Sequence, residues 1–199
     1  LFEHGYENIV VVDDGSQDDT AVVANKTGAI VLSHAVNRGQ GAALQTGNEF
    51  ALKKGAEIIV HFDSDDQFNP ADINSGIDFL RQKELDIVFG SRFLDNRSQI
   101  PFFKKYFILP ISRFINNSIT GLKLTDVHNG FRVLTKKAAE KIIITQDAMA
   151  HNSQIPQLVK KFNLKYGEHP VEVRYFESGQ GIAGGFKIIF DLIFEKFSK

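Results

Sequence analysis

Two short apolar runs each end in a burst of acid, and that pairing limits the fold more than any other feature of the chain. Ile58-Ile59-Val60-His61-Phe62 leads directly into Asp63-Ser64-Asp65-Asp66-Gln67, and Ile9-Val10-Val11-Val12 into Asp13-Asp14-Gly15-Ser16. A brief apolar run bounded by turn residues reads as a buried parallel strand. Two strands that discharge carboxylates at their carboxyl ends describe a polar crevice above an open α/β sheet, where such folds bind ligands. Crowded carboxylates repel unless a cation or protons offset the charge. The Asp-x-Asp spacing brings Asp63 and Asp65 within reach of one hard metal ion, which prefers oxygen ligands and also holds phosphates. Metal-assisted chemistry on a phosphorylated substrate is the expectation.

The rest of the chain supports the sheet. Strand-like runs at about 8–13, 29–33, 57–62 and 85–89 alternate with helical patterns at about 17–27, 40–54 and 70–82, the last opened by Pro70. Such alternation predicts right-handed crossovers and a mostly parallel sheet in a three-layer α/β/α sandwich. After Gly90 the rhythm changes. Residues 91–100 are loop-like, and 101–120 form a Phe- and Ile-rich helical segment interrupted by Pro110. A compact polar unit from Thr125 to Arg132 leads into a helix near 136–142; 151–162 read as helix and 164–176 as strand with a turn around His169-Pro170. Residues 182–197 read as an amphipathic helix with Phe186, Ile189, Phe190, Ile193, Phe194 and Phe197 on its apolar face. Core packing or a homodimer contact is the first reading of that face, ahead of an interfacial membrane contact.

Size and composition narrow the classes. The 199 residues show no repeat or linker, so a single domain over 1–199 is the economical reading. The opening Leu1-Phe2-Glu3-His4-Gly5-Tyr6 reads as the middle of a helix and its turn, so a first strand is expected before it. Basic and acidic residues nearly balance, 23 against 24, so no global field favours nucleic acid. The absence of cysteine removes disulfides, thiolate metal sites and thiol nucleophiles. No apolar run reaches the ~18 residues of a membrane span.

Each remaining motif has a bland reading beside the functional one. Capping explains Ser16 or Asp18, but not a double Asp at a strand end. Asn37-Arg38-Gly39-Gln40-Gly41 resembles a glycine-rich turn opening a helix, where N–H groups favour anions; close backbone packing explains the same glycines equally well. Gly90-Ser91-Arg92 closes the fourth strand; Arg92 reads as an ordinary surface charge or, from a strand-end position above the sheet, as a group aimed at the crevice. His128 alone reads as structural, but Thr125-Asp126-Val127-His128-Asn129-Gly130-Phe131-Arg132 packs an acid, an imidazole, an amide and a guanidinium together, and the set favours function.

In this order the motifs resemble family 2 glycosyltransferases of the GT-A fold, especially the branch similar to dolichyl-phosphate mannosyltransferase and bacterial polyprenyl-phosphate glycosyltransferases. Val11-Val12-Asp13-Asp14-Gly15-Ser16, the 37–41 turn, Phe62-Asp63-Ser64-Asp65-Asp66-Gln67, Gly90-Ser91-Arg92-Phe93 and Asp126 to Arg132 carry the likeness. The resemblance implies an inverting transfer from a UDP- or GDP-sugar, with Mg²⁺ or Mn²⁺ at Asp63 and Asp65. It implies nucleotide-sugar contacts from Asp13, Asp14, Gly15, Ser16, Asn37, Gly39, Gly41, Asp63, Ser64 and Gln67, within a donor half over about 1–100. Arg92 and Arg132 become candidates for the acceptor phosphate or donor diphosphate, beside an acceptor half over about 101–199. The acceptor implied is polyprenyl phosphate at the cytoplasmic membrane face, or a hydroxyl on a growing glycan. Two departures accompany the likeness. The family's first strand and its Pro-x-Tyr/Phe-Asn-Glu loop are absent, and the glycine-rich 177–185 only loosely resembles the family's basic loop.

The acceptor decides what the site needs. A phosphate monoester, with its second pKa near ~6, attacks already ionised. A hydroxyl needs a base, and Asp126 is the nominee. Three rivals stand beside transfer. A dehalogenase-type phosphatase expects Thr or Val where Gln67 stands. A nucleotidyltransferase would share fold and metal, and a non-catalytic sugar-nucleotide binder needs no chemistry at all.

Overall fold

The computed structural model describes residues 1–95, 97–98, 117–118, 120–147 and 150–174. The helices expected over 101–120 and 182–197, and the glycine-rich 177–185, lie outside those residues save at 117, 118 and 120. Strands β1 (Val10–Asp13) and β2 (Ile30–Ser33) pair in parallel. Strands β3 (Ile58–His61), β4 (Ile87–Ser91), β5 (Arg132–Thr135) and β6 (Tyr166–Pro170) form a four-stranded sheet in the order β3-β5-β4-β6. β4 and β6 run parallel, while β5 lies antiparallel between β3 and β4.

Side-chain alternation divides this sheet into two faces. On one, Val88 and Val133 join Phe68, Phe131, Ile73, Leu80 and Val171 against helix α3 (Ala71–Gln82), with Ile58 and Val60 packed alongside. On the other, Ile87, Phe89 and Leu134 meet Ala138 of α4 (Lys136–Lys141) and Ile155 and Val159 of α5 (His151–Lys161). Leu44 of α2 (Gln40–Lys53) packs against that second cluster. Helices on both faces make the three layers. Helix α1 (Thr20–Lys26) lies over the β1–β2 pair.

Two elements differ from the sequence reading. β5 went unforeseen because it is only four residues long and opens on a charged residue, Arg132. Its last residue, Thr135, caps α4 by accepting the Ala138 N–H at 3.2 Å. The turn expected at His169-Pro170 is instead extended strand, with Ser91 paired to Pro170. Proline is tolerated there because it closes its strand, and the next ladder bond comes from the Val171 N–H to the Ser91 carbonyl at 3.0 Å.

Candidate active site

The acidic ends of β1 and β3 meet at the start of α2. Asp14 accepts the backbone N–H groups of Arg38 and Gly39 at 3.0 and 2.5 Å, and lies 2.6 Å from His34 Nδ1. The other ring nitrogen of His34 is 2.9 Å from Thr46 Oγ1. Burial raises the Asp14 pKa, but the Arg38 N–H, His34 and the Gly39 N–H together hold it below the usual value. One residue further along the same turn, the Gln40 side chain donates to Asp63 Oδ1 at 3.0 Å. The 38–40 turn therefore touches both acidic strand ends. Asp13 is buried and accepts the Ser16 N–H at 3.2 Å, closing the turn that contains Gly15.

The glycines of this turn serve packing as well. Gly41 and Ala42 donate their N–H groups to the Asp147 carbonyl at 2.7 and 3.4 Å, so the protein's own chain caps α2. A Cβ on Gly41 would overlap the Gln146 carbonyl, a backbone atom that cannot swing away. Gly41→Ala should therefore lower stability by about 1–3 kcal/mol, the usual cost of overpacking. A thermal melt checks this, and an unchanged midpoint would contradict the contact.

Asp63 and Asp65 occupy one loop with different surroundings. Asp65 is exposed with Ser64, and its Oδ1 accepts the Gln67 N–H at 3.1 Å. Asp63 is half-buried, and its pKa is raised by burial and by the Asp65 charge, against the opposing pull of Arg132 and Gln40. Its carboxylate rests on Gly130, where a Cβ would overlap it. Among the described residues no group of three or more acid, His or Cys side chains is arranged for a metal. The pair still suits a hard cation: two oxygen donors share one loop, Asp65 opens to solvent, and their mutual repulsion favours a neutralising charge.

Beneath Asp63 lies a buried polar cluster. Arg132 pairs across the strands with His61, and both point to the face of α2 and α5. Arg132 is 1% exposed; it donates to Asn152 Oδ1 at 2.6 Å and to the Gly130 carbonyl at 3.4 Å. Burial lowers its pKa to about 10 against the pull of Asp63, so it stays cationic at neutral pH. Burial, with Arg132 and His151 nearby, pushes His61 down to about 3, so this imidazole is neutral. Its Nε2 is 2.8 Å from Asn48 Oδ1. Arg132 thus lies under the crevice rather than on its surface, because it shares the strand face of Leu134.

Arg92 sits at the end of β4 in a tight pair with Asp126. Its Nε donates to Asp126 Oδ2 at 2.6 Å, its Nη2 to Oδ1 at 2.7 Å, and its backbone N–H to Oδ2 at 3.1 Å. Asn129 donates to the same Oδ2 at 3.3 Å. Asp126 is 3% exposed. The neighbouring His128 is held below its usual pKa by burial and by Arg92 and Arg132, against Asp126. Sequence reading singled out neither Gln40, Asn48 and Asn152 nor Glu168 of β6, which accepts the Thr125 N–H at 2.7 Å. Asn48 and His61 carried a faint signal as polar residues inside apolar patterns; Asn152 and Glu168 carried none.

Known proteins resemble this chain in sequence and in fold. The family model for glycosyl transferase family 2 matches residues 3–143. An uncharacterized protein of Methanocaldococcus jannaschii is 38% identical over 98% of this chain and 84% of its own length. The UDP-N-acetylglucosamine–dolichyl-phosphate N-acetylglucosaminyltransferase of Methanococcus voltae is 31% identical over 100% of this chain and 89% of its own. Among solved structures, glucosyl-3-phosphoglycerate synthase from Mycobacterium tuberculosis, in complex with Mn²⁺, UDP and glucosyl-3-phosphoglycerate, superposes with a TM-score of 0.65 at 16% identity. That match covers 94% of this chain and 68% of the synthase. With its acidic strand ends gathered at one edge of a three-layer GT-A fold, the chain belongs to glycosyl transferase family 2.

Proposed function

We propose that this protein is an inverting, metal-dependent transferase that moves a sugar from a UDP-sugar to polyprenyl phosphate. The observation that carries the acceptor is the state of Asp126. Both of its oxygens are engaged by Arg92, and it is nearly sealed from solvent. A carboxylate so engaged is poorly placed to take a proton from a hydroxyl. A phosphate acceptor needs no base, and a guanidinium fixed at a strand end suits a phosphate group. The Methanococcus voltae relative, a UDP-N-acetylglucosamine–dolichyl-phosphate N-acetylglucosaminyltransferase, supports the same acceptor class and a UDP-linked donor.

In the proposed reaction an acceptor phosphate oxygen attacks the anomeric carbon from the face opposite the diphosphate. A carbon–oxygen bond to the acceptor forms while the bond to the β-phosphate oxygen breaks. UDP leaves with the bonding electrons, and the configuration inverts. Mg²⁺ or Mn²⁺ held by Asp63 and Asp65 would act as a Lewis acid toward the charge gained by the diphosphate. Gln40 and Gly130 fix Asp63, Asp14 fixes the turn carrying Gln40, and Asp126 fixes Arg92. We place the reaction at the cytoplasmic face of a membrane, since the acceptor is a lipid; among the described residues no helix is long and apolar enough to cross one.

The test is transfer of labelled sugar from UDP- and GDP-sugars to polyprenyl phosphate, with hydroxyl acceptors run in parallel. Metal-dependent label in the polyprenyl product, absent from the hydroxyl acceptors, is the expected result. Label only in hydroxyl acceptors would overturn the reading.

A further inference from the structure

Glu168 is a charged side chain on β6 with no part in the transfer as described so far. It stands opposite Phe89 in the parallel ladder, two residues before the position paired with Ser91. One of its oxygens, Oε1, gathers three donors: the Thr125 N–H at 2.7 Å, the Thr125 hydroxyl at 2.8 Å and the Asp126 N–H at 3.2 Å. A carboxylate only accepts, so the single hydroxyl proton of Thr125 goes to Glu168. Ser91 Oγ, 2.7 Å from Thr125 Oγ1, must then donate its own proton to Thr125. The Phe93 N–H completes the line by donating to Ser91 Oγ at 3.2 Å.

Glu168 thereby sets the direction of a hydrogen-bond chain running from the exit of β4 to β6. That chain brackets Arg92 between Ser91 and Phe93. It also fixes the backbone of Asp126, whose carboxylate takes the Arg92 Nε, Nη2 and main-chain N–H. We propose that Glu168 is a positioning residue which, through Thr125 and Asp126, orients Arg92 for the phosphate of the acceptor. The inference rests on the acceptor reading given above. The local bonds alone would fit a simple loop anchor, so the test needs readouts that an anchor would not move.

The experiment uses the full chain as wild type, E168A, E168Q and T125V. With ¹⁵N-labelled arginine, the Arg92 Nε–H resonance, assigned by R92K, reports the guanidinium directly. It should shift or broaden in E168A and stay near its wild-type position in E168Q, which keeps an acceptor oxygen. Steady-state kinetics should show the KM for polyprenyl phosphate rising about tenfold or more in E168A, the scale on which outer-shell partners act. The KM for the UDP-sugar should stay within about threefold, and E168Q should restore most of the acceptor affinity. If E168A fails to fold, T125V removes only the hydroxyl link and should give a smaller change of the same kind. An unmoved Arg92 resonance with unchanged acceptor KM overturns the proposal, as does an equal rise in both KM values. Should wild type not use polyprenyl phosphate at all, the acceptor reading fails, while the Arg92 resonance still decides the role of Glu168.

Discussion

Asp65→Ala should reduce sugar transfer by at least about a hundredfold, the scale on which loss of one group facing developing charge acts. The fold should survive. Asp65 is exposed, its Oδ1 accepts a local bond from the Gln67 N–H, and it belongs to neither core cluster. The loss should therefore appear in turnover and in metal-dependent UDP binding, with the thermal midpoint unchanged. Asp63→Ala should differ in kind. It removes the partner of Gln40 and the carboxylate opposing buried Arg132, so both activity and stability should fall. Calorimetry of UDP with and without Mn²⁺, beside thermal melts of both variants, checks the pair. Full activity in Asp65→Ala, with UDP affinity indifferent to metal, would contradict the assignment.

What the sequence made legible follows from how local each signal is. Strands β1 to β4 and helices α1 to α3 were readable because apolar runs and helical spacing report burial within a few residues. The two acidic strand ends were readable for the same reason: strand and carboxylates are contiguous. β5 was hidden because its face assignment depends on its neighbours. Only pairing with His61 and Phe89 shows that Arg132 points toward α5 and Asn152. The 37–41 turn was ambiguous in sequence, since glycines serve anion cradles and close packing alike. The Asp147 carbonyl on the Gly41 N–H comes from a distant loop that no local pattern announces. Glu168 had no signature at all: an isolated acid in a short strand acquires meaning only when Thr125 and Asp126 are brought against it. Tertiary pairing, not propensity, carries these roles.

Asp126→Asn and Asp126→Ala separate the two acceptor chemistries most sharply. If Asp126 were a general base, both variants would lose kcat alike, because neither can take the proton. The structure favours a different outcome. Asn keeps one acceptor oxygen toward Arg92 and the shape of the pair, so Asp126→Asn should retain appreciable turnover with a raised acceptor KM. Alanine removes both oxygens and leaves a largely buried guanidinium without its carboxylate, since the Arg92 side chain is only 14% exposed. That loss should weaken acceptor binding by the ~2–5 kcal/mol typical of a truncated, desolvated charge pair. Arg92→Ala should do the same from the other side. In a double-mutant cycle the combined change should cost little more than either alone, because both act on one interaction. Acceptor KM, kcat and the pH–rate profile of wild type and the four variants check the argument. A collapse of kcat in Asp126→Asn, with acceptor KM unchanged and the acidic limb of the pH profile lost, would identify Asp126 as a base and the acceptor as a hydroxyl.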